Sequence, residues 1–266
     1  LYDLAFLLMD LCHRGRDDLA NLVFNRYLDE NDELGGAPAL PFFMAVRASI
    51  RAHVTATQAR GEPDADERAQ ARVEAQAYFD LAERLLAPRA TGLVAIGGFS
   101  GSGKSSLAAA LAPALGPAPG ARIVSSDRIR KRMHGVHALQ KLPQEAYAPE
   151  ISERVYAQMR VEAARALASG CAVVADAVFD RKPLAEAIEN VARDARVPFT
   201  GLWLEAARDA LAARVAARRN DPSDASVSVL DAQIRRADPH PAWRRLDAGQ
   251  SPAQMLATAR RIAFRT

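Results

Sequence analysis

Several residue types are scarce in this chain, and each shortage argues against something. Only two cysteines occur, Cys12 and Cys171, far apart in the sequence. That argues against a disulfide framework or a thiolate zinc site and makes a reducing, cytoplasmic setting the expectation. Cys171 opens an apolar run and reads as a small core residue. The histidines, His13, His53, His134, His137 and His240, show no metal-ligand spacing; His134 and His137 are expected at the surface. No apolar stretch approaches the roughly 20 residues a membrane helix needs. The run Leu4 to Leu11 is short, is interrupted by Asp10 and has no basic leader before it, so neither membrane nor secretory signal is expected. Aromatics make up only 6% of the chain, and none interleave with basic residues as a base-stacking platform. Lysine is scarce, the basic side chains are nearly all arginine, and the net charge of +3 is small and dispersed. Nucleic acid is therefore not the expected partner.

What remains is an ordinary globular composition over 266 residues, with 49% hydrophobic and 25% charged side chains. That length allows one large or two modest domains, each with a real core. The first part, 1–88, reads as helices near 1–11, 17–27, 41–57 and 66–87. Breaks fall at Gly35-Gly36-Ala37-Pro38 and Gly61-Glu62-Pro63-Asp64, and Pro88 and Gly92 mark a hinge. The chain opens at Leu1 already inside a helical pattern, which suggests a piece of something longer. From Gly92 the pattern alternates. Strands are expected at 93–97, 122–125, 171–175, 199–204 and, short, at 243–247. Helices are expected at 106–115, 151–169, 183–196, 208–219, 227–236 and 252–264. The expected fold is α/β: a parallel sheet flanked by helices over 89–266, preceded by a small all-helical segment at 1–88. Ligands of such sheets bind at the carboxyl ends of the strands.

At the end of the first of those strands stands Gly98-Phe99-Ser100-Gly101-Ser102-Gly103-Lys104-Ser105. The pattern is Gly, four residues, Gly-Lys-Ser, set between an apolar strand and a helix-forming run, as a phosphate-binding loop must be. Glycines let main-chain N–H groups curl round an anion, and the helix N-terminus adds partial positive charge there. Gly98, Ser100, Gly101, Ser102, Gly103, Lys104, Ser105 and Ser106 are the expected ATP-binding residues. Lys104 would reach the β- and γ-phosphates and the Ser105 hydroxyl would bind Mg²⁺.

Three further features point toward phosphoryl transfer, each with a plainer reading beside it. Asp127 and Arg130 follow the second strand, where a carboxylate could take a hydroxyl proton and an arginine hold an anionic substrate. Asp127 could instead be only a helix N-cap followed by solvated arginines. Asp176 ends the third strand, where a carboxylate would meet Mg²⁺ directly or through water; it could also be a turn former. Arg214 and Arg218 lie four apart on one helical face before the turn-rich Asp221-Pro222-Ser223-Asp224-Ala225. Such a segment could bring arginine to the transferring group and exclude water, or be a solvated helix end.

Together, Gly98–Ser105, the Asp-x-x-Arg of Asp127 and Arg130, Asp176, and Arg214/Arg218 with Ser223-Asp224-Ala225 resemble the small P-loop kinases. Polynucleotide 5′-kinase, zeta-toxin sugar-nucleotide kinases, gluconate kinase and chloramphenicol phosphotransferase belong to that group. More closely, 90–266 is similar to the C-terminal domain of bacterial bifunctional aminoglycoside phosphotransferase/ATP-binding proteins. Residues 1–57, especially Leu1 to Leu11, look like the end of their phosphotransferase-like domain. The resemblance implies a five-stranded sheet, ATP and Mg²⁺ as cofactors, Asp127 as general base, Arg130 near the acceptor, and Arg218, with Arg214, as lid arginines. It also implies that 1–88 is an inert helical remnant, because the catalytic and metal-binding aspartates of that lobe lie upstream. The expected activity is phosphoryl transfer to a hydroxyl of a small polar molecule, with 133–149 lining its pocket. The alternatives are a nucleic-acid end kinase and an ATP-binding switch that transfers nothing.

Overall fold

The computed structural model describes residues 1–217, 222–240 and 242–263. They divide into two compact units. One contains Leu1–Ala90, Pro113–Ala121 and Ser169–Cys171; the other contains Thr91–Ala112, Arg122–Ala168 and the chain from Ala172 onward.

The first unit is built on four helices: α1 (Tyr2–His13), α2 (Asp17–Glu30), α3 (Leu40–Gly61) and α4 (Ala65–Leu86). Pro41 sits in the first turn of α3, where its missing N–H costs nothing. Asp64 caps α4, its carboxylate accepting the N–H groups of Asp66 and Glu67 at 2.9 Å. α3 and α4 pack along each other, burying Met44, Ala45 and Ala48 from one and Tyr78, Leu81 and Leu85 from the other. Where a plain break was expected, Leu34–Ala39 forms a 3₁₀ turn. The buried amides of Asn21 and Asn25 donate to the carbonyls of Pro119 and Ala121. That side-chain pairing explains why 113–121 groups with these helices.

The second unit carries one sheet of five parallel strands, ordered β2-β3-β1-β4-β5. The strands are β1 (Leu93–Gly98), β2 (Arg122–Ser125), β3 (Val173–Asp176), β4 (Phe199–Glu205) and β5 (Arg244–Asp247). β1 and β3 are buried at every position, which is why they read as unbroken apolar runs rather than alternating ones. The flanking helices are α5 (Lys104–Leu111), α6 (Ser126–Met133), α7 (Pro149–Ala168), α8 (Lys182–Asp194), α9 (Arg208–Ala216), α10 (Val227–Arg236) and α11 (Pro252–Ala263).

Several boundaries differ from the sequence reading, and three of the differences bear on the site. α5 starts at Lys104 and stops at Leu111, because Pro113 cannot donate to a continuing helix. β3 begins at Val173 rather than Cys171 and takes Asp176 as its last residue. Asp127 is not an N-cap: Ser125 occupies that position, and Asp127 lies in the first turn of α6. No helix among the described residues is long and apolar enough to cross a membrane.

Register decides where the chemistry sits. Ile96 of β1 and Ser125 of β2 both pair with Asp176 of β3. β2 and β3 therefore finish level with Ile96, and β1 runs two residues further, to Gly98, beside the point where strand order reverses. On the other side of β1, Trp243 is 4% exposed and covers Gly201 of β4. Its indole Nε1 donates to Glu189 at 2.7 Å. A Cβ on Gly201 would stand 2.6 Å from three indole atoms. Gly201→Ala is therefore expected to cost about 1–3 kcal/mol of stability. Chemical denaturation checks this, and a variant as stable as the parent would contradict the packing.

Candidate active site

The loop between β1 and α5 is bent in a way only glycine tolerates. Gly98 and Gly101 have φ of +139° and +87°. A Cβ on Gly98 would lie 2.7 Å from the Leu204 carbonyl oxygen, and one on Gly101 would lie 2.6 Å from that of Leu211. The loop is thus seated directly on β4 and on α9, with no room for a side chain at either seat. Gly98 N–H donates to Val178 O at 3.0 Å, tying the loop to the stretch after β3.

Lys104 and Ser105 begin α5, at the positive end of its backbone dipole. The Lys104 side chain folds back over the loop and donates to Phe99 O at 3.1 Å. Ser105 Oγ donates to Asp176 Oδ2 at 2.8 Å. A hydroxyl and a carboxylate in contact at a helix N-terminus are hard oxygen donors, and they suit Mg²⁺ with phosphate and water completing its shell. Among the described residues no three His, Cys, Asp or Glu side chains gather as a metal cage.

These groups open onto a cavity of about 670 Å³. Its walls include Ser100, Gly101, Gly103, Lys104, Ser105 and Ser106, and also Asp127, Arg130, Asp176 and Arg214. Asp127 is thus a wall of the same cavity that Lys104 lines. Arg130 is 7% exposed, donates through Nη1 to Ala146 O at 2.6 Å and through Nη2 to Ser152 Oγ at 3.3 Å, and leaves Nε without a partner. Its guanidinium stacks on the Tyr147 ring at 4.7 Å. Arg214 donates to Ala248 O at 2.9 Å.

Other expected residues fall elsewhere. Gly98 and Ser102 are not cavity walls. Gly98 serves the bend, and Ser102 is 1% exposed with its hydroxyl close against Gly98, so both shape the loop from within. Arg218 lies outside the described residues. Of 133–149, only Tyr147 and Pro149 reach the cavity; His134 and His137 are exposed.

Residues 93–240, more than half the chain, match the family model described as AAA domain. The chain belongs to that family. A solved structure from Chloroflexus aurantiacus shares the fold of this AAA domain at a TM-score of 0.50 and 18% identity, covering 65% of this chain and 96% of that one. A sugar kinase from Janibacter sp. matches at 0.48 and 18%, covering 65% and 94%, and a gluconokinase from Sinorhizobium meliloti at 0.45 and 22%, covering 66% and 91%. Uncharacterized proteins of Mycobacterium tuberculosis and Mycobacterium bovis are 28% identical over 242 residues, 89% of this chain and 47% of theirs. The chain spans about half the length of these curated relatives.

The AAA domain also brings to the cavity Tyr156, Asp180, Gln233 and Arg236, which no motif announced, beside Tyr147 from the expected 133–149 and Asp224 from the expected Ser223-Asp224-Ala225. Phe179 holds a left-handed φ of 49°, a strained setting for a bulky residue. Its N–H donates to the buried Tyr156 hydroxyl at 3.2 Å, and burial pushes that phenol well above its ordinary pKa. The turn delivers Asp180, 2% exposed, to Arg236 Nε at 2.6 Å. From α10, Gln233 accepts the Ser100 N–H at 3.0 Å. Burial also raises the Tyr147 hydroxyl, with the hydrogen bond to Asp224 adding to it. Burial alone would raise the Asp224 carboxyl, but hydrogen bonds from Lys131, Tyr147 and the Leu142 N–H outweigh it and hold it below the usual carboxylate range. A depressed folded-state pKa gives stability that is complete above the unfolded value, about 3.9, and is lost as pH falls through the folded one. The melting temperatures of wild type and Asp224→Asn should therefore differ by a constant amount from pH 8 to about 5 and converge below about pH 4. A difference that shrinks already between pH 8 and 6 would contradict this.

Proposed function

We propose that residues 89–266 act as a kinase domain that moves the γ-phosphoryl of ATP onto a hydroxyl of a small polar molecule. The observation that carries this reading is the convergence on one cavity of the phosphate loop, the Ser105–Asp176 pair and a second carboxylate, Asp127. A site that only binds nucleotide has no use for Asp127, whose carboxylate has no hydrogen-bond partner among the described residues. In this reading the loop amides and Lys104 hold the β- and γ-phosphates. Ser105 and Asp176 would hold Mg²⁺, which neutralises charge on the triphosphate when bound. Asp127 orients the acceptor hydroxyl and takes its proton as the oxygen bonds to the γ-phosphorus. The bond from that phosphorus to the bridging oxygen breaks and ADP leaves. Arg130 steers the acceptor, and Arg214, with Arg218, meets the charge that develops on the phosphoryl oxygens.

The residue pattern further supports placing this domain after an aminoglycoside-phosphotransferase-like lobe in a longer cytoplasmic protein, with 1–88 as the inert end of that lobe. Arginine-rich segments would permit a nucleic-acid end, but the want of aromatic residues interleaved with basic ones supports a small acceptor.

The test is transfer of label from γ-labelled ATP into a metabolite extract, with mass identification of the product. Lys104→Ala is expected to abolish both hydrolysis and transfer. Asp127→Ala is expected to keep ATP affinity and lose about 10²- to 10⁴-fold in transfer rate. Wild-type transfer by purified Asp127→Ala would remove it as the base, and nucleotide binding without any labelled product would favour the switch instead.

A further inference from the structure

Residues 222–226 carry no step of the proposed reaction, yet Asp224 is held more firmly than a surface turn requires. Its carboxylate accepts from Lys131 Nζ, from the Tyr147 hydroxyl at 2.6 Å and from the Leu142 N–H at 3.0 Å. All three donors belong to the stretch from α6 to the start of α7. The Lys131 side chain is 1% exposed and that of Asp224 is 9% exposed; the other partner of the ammonium is the Gln140 carbonyl. An ammonium out of water is costly unless a carboxylate meets it. The fold of 131–147 is therefore closed by a charge that arrives from far along the chain.

What this pair grips is the helix that carries the proposed chemistry. Lys131 lies on α6, one turn after Asp127 and next to Arg130. Tyr147, the second donor, has its ring under the Arg130 guanidinium, and Arg130 donates to the carbonyl of neighbouring Ala146. The same short stretch also reaches the other half of the site. α10 begins at Val227, and its Gln233 accepts the Ser100 N–H of the phosphate loop. Asp224 to Gln233 thus spans from α6 to the phosphate loop in ten residues.

We propose that Asp224 is a positioning residue: by fixing Lys131, Leu142 and Tyr147 it sets α6, with Asp127 and Arg130, in register with the phosphate loop. This rests on the phosphoryl-transfer reading given above. It assigns Asp224 no contact with substrate.

Two measurements test it, with a nonhydrolysable ATP analogue as the nucleotide probe and dilution of the metabolite extract as the acceptor axis. In Asp224→Asn, amide exchange over 131–147 is expected to rise about tenfold or more while β1 is unchanged. The extract concentration giving half-maximal transfer is expected to rise about tenfold, with analogue affinity within about twofold of wild type. Asp224→Glu, which keeps the charge, should recover most of both. A purely structural role would lower the maximal rate through lost protein and leave half-saturation in place. The double variant Lys131→Met/Asp224→Leu removes both buried charges, so it should regain melting temperature yet keep the raised half-saturation. Unchanged exchange over 131–147 in Asp224→Asn, or unchanged half-saturation in the double variant, would overturn the proposal. If the wild-type chain transfers nothing, the phosphoryl-transfer reading fails, and exchange over 131–147 alone decides whether Asp224 holds α6.

Discussion

The parallel register of β1, β2 and β3 is the constraint on which the rest depends. Pairing Ile96 and Ser125 with Asp176 sets the ends of β2 and β3 level with Ile96, just before the end of β1. Each end then delivers one part of a site within a few residues: the phosphate loop, Asp127 on α6, and Asp176 itself. A slip of one residue in β3 would turn Asp176 toward the opposite face and separate it from Ser105. The buried Val, Ala and Ile side chains of these strands therefore do more than fill a core, because the register they enforce is also the geometry of the cavity.

Around that frame, close approach replaces side-chain bulk. Gly98 and Gly101 let the loop rest on the carbonyls of Leu204 and Leu211, so β4 and α9 support its main chain directly. Gln233 adds a third support by accepting the Ser100 N–H. A loop held at three points keeps its main chain in one shape. On the facing side, α6 is tied through Arg132, which donates to both oxygens of Glu162 on α7 at 2.6 and 2.7 Å. Lys131 adds the link to Asp224. The two halves of the cavity are thus joined through the stretch from Asp224 to Gln233.

The parts legible in the sequence were those encoded within a few residues. The phosphate loop needs a strand, glycines and a helix in immediate succession, so its pattern was readable at once. Asp127 and Asp176 were readable because a carboxylate just past an apolar run marks a strand end. The five strands and the parallel arrangement followed from the alternation of apolar runs and helical stretches. The stretches holding Tyr147 and Asp224 were expected near the acceptor, but which side chains pair to complete the cavity gave no such sign. Tyr147 resembles any loop tyrosine until Asp224, 77 residues later, accepts its hydroxyl. Gln233 and Ser100 are 133 residues apart, and Asp180 gains meaning only from Arg236. Boundaries shifted where a local rule competed with another: Pro113 ended α5 early, and Ser125 took the cap that Asp127 was a candidate for.

The central claim is that main-chain amides of the loop between Gly101 and Ser106 bind the phosphates of ATP. Hydrogen exchange with and without a nonhydrolysable ATP analogue and Mg²⁺ tests it most directly. Slowed exchange at 101–106, with no change across 1–90, is the predicted footprint. Protection that spares 101–106, or none at saturating analogue, would contradict it.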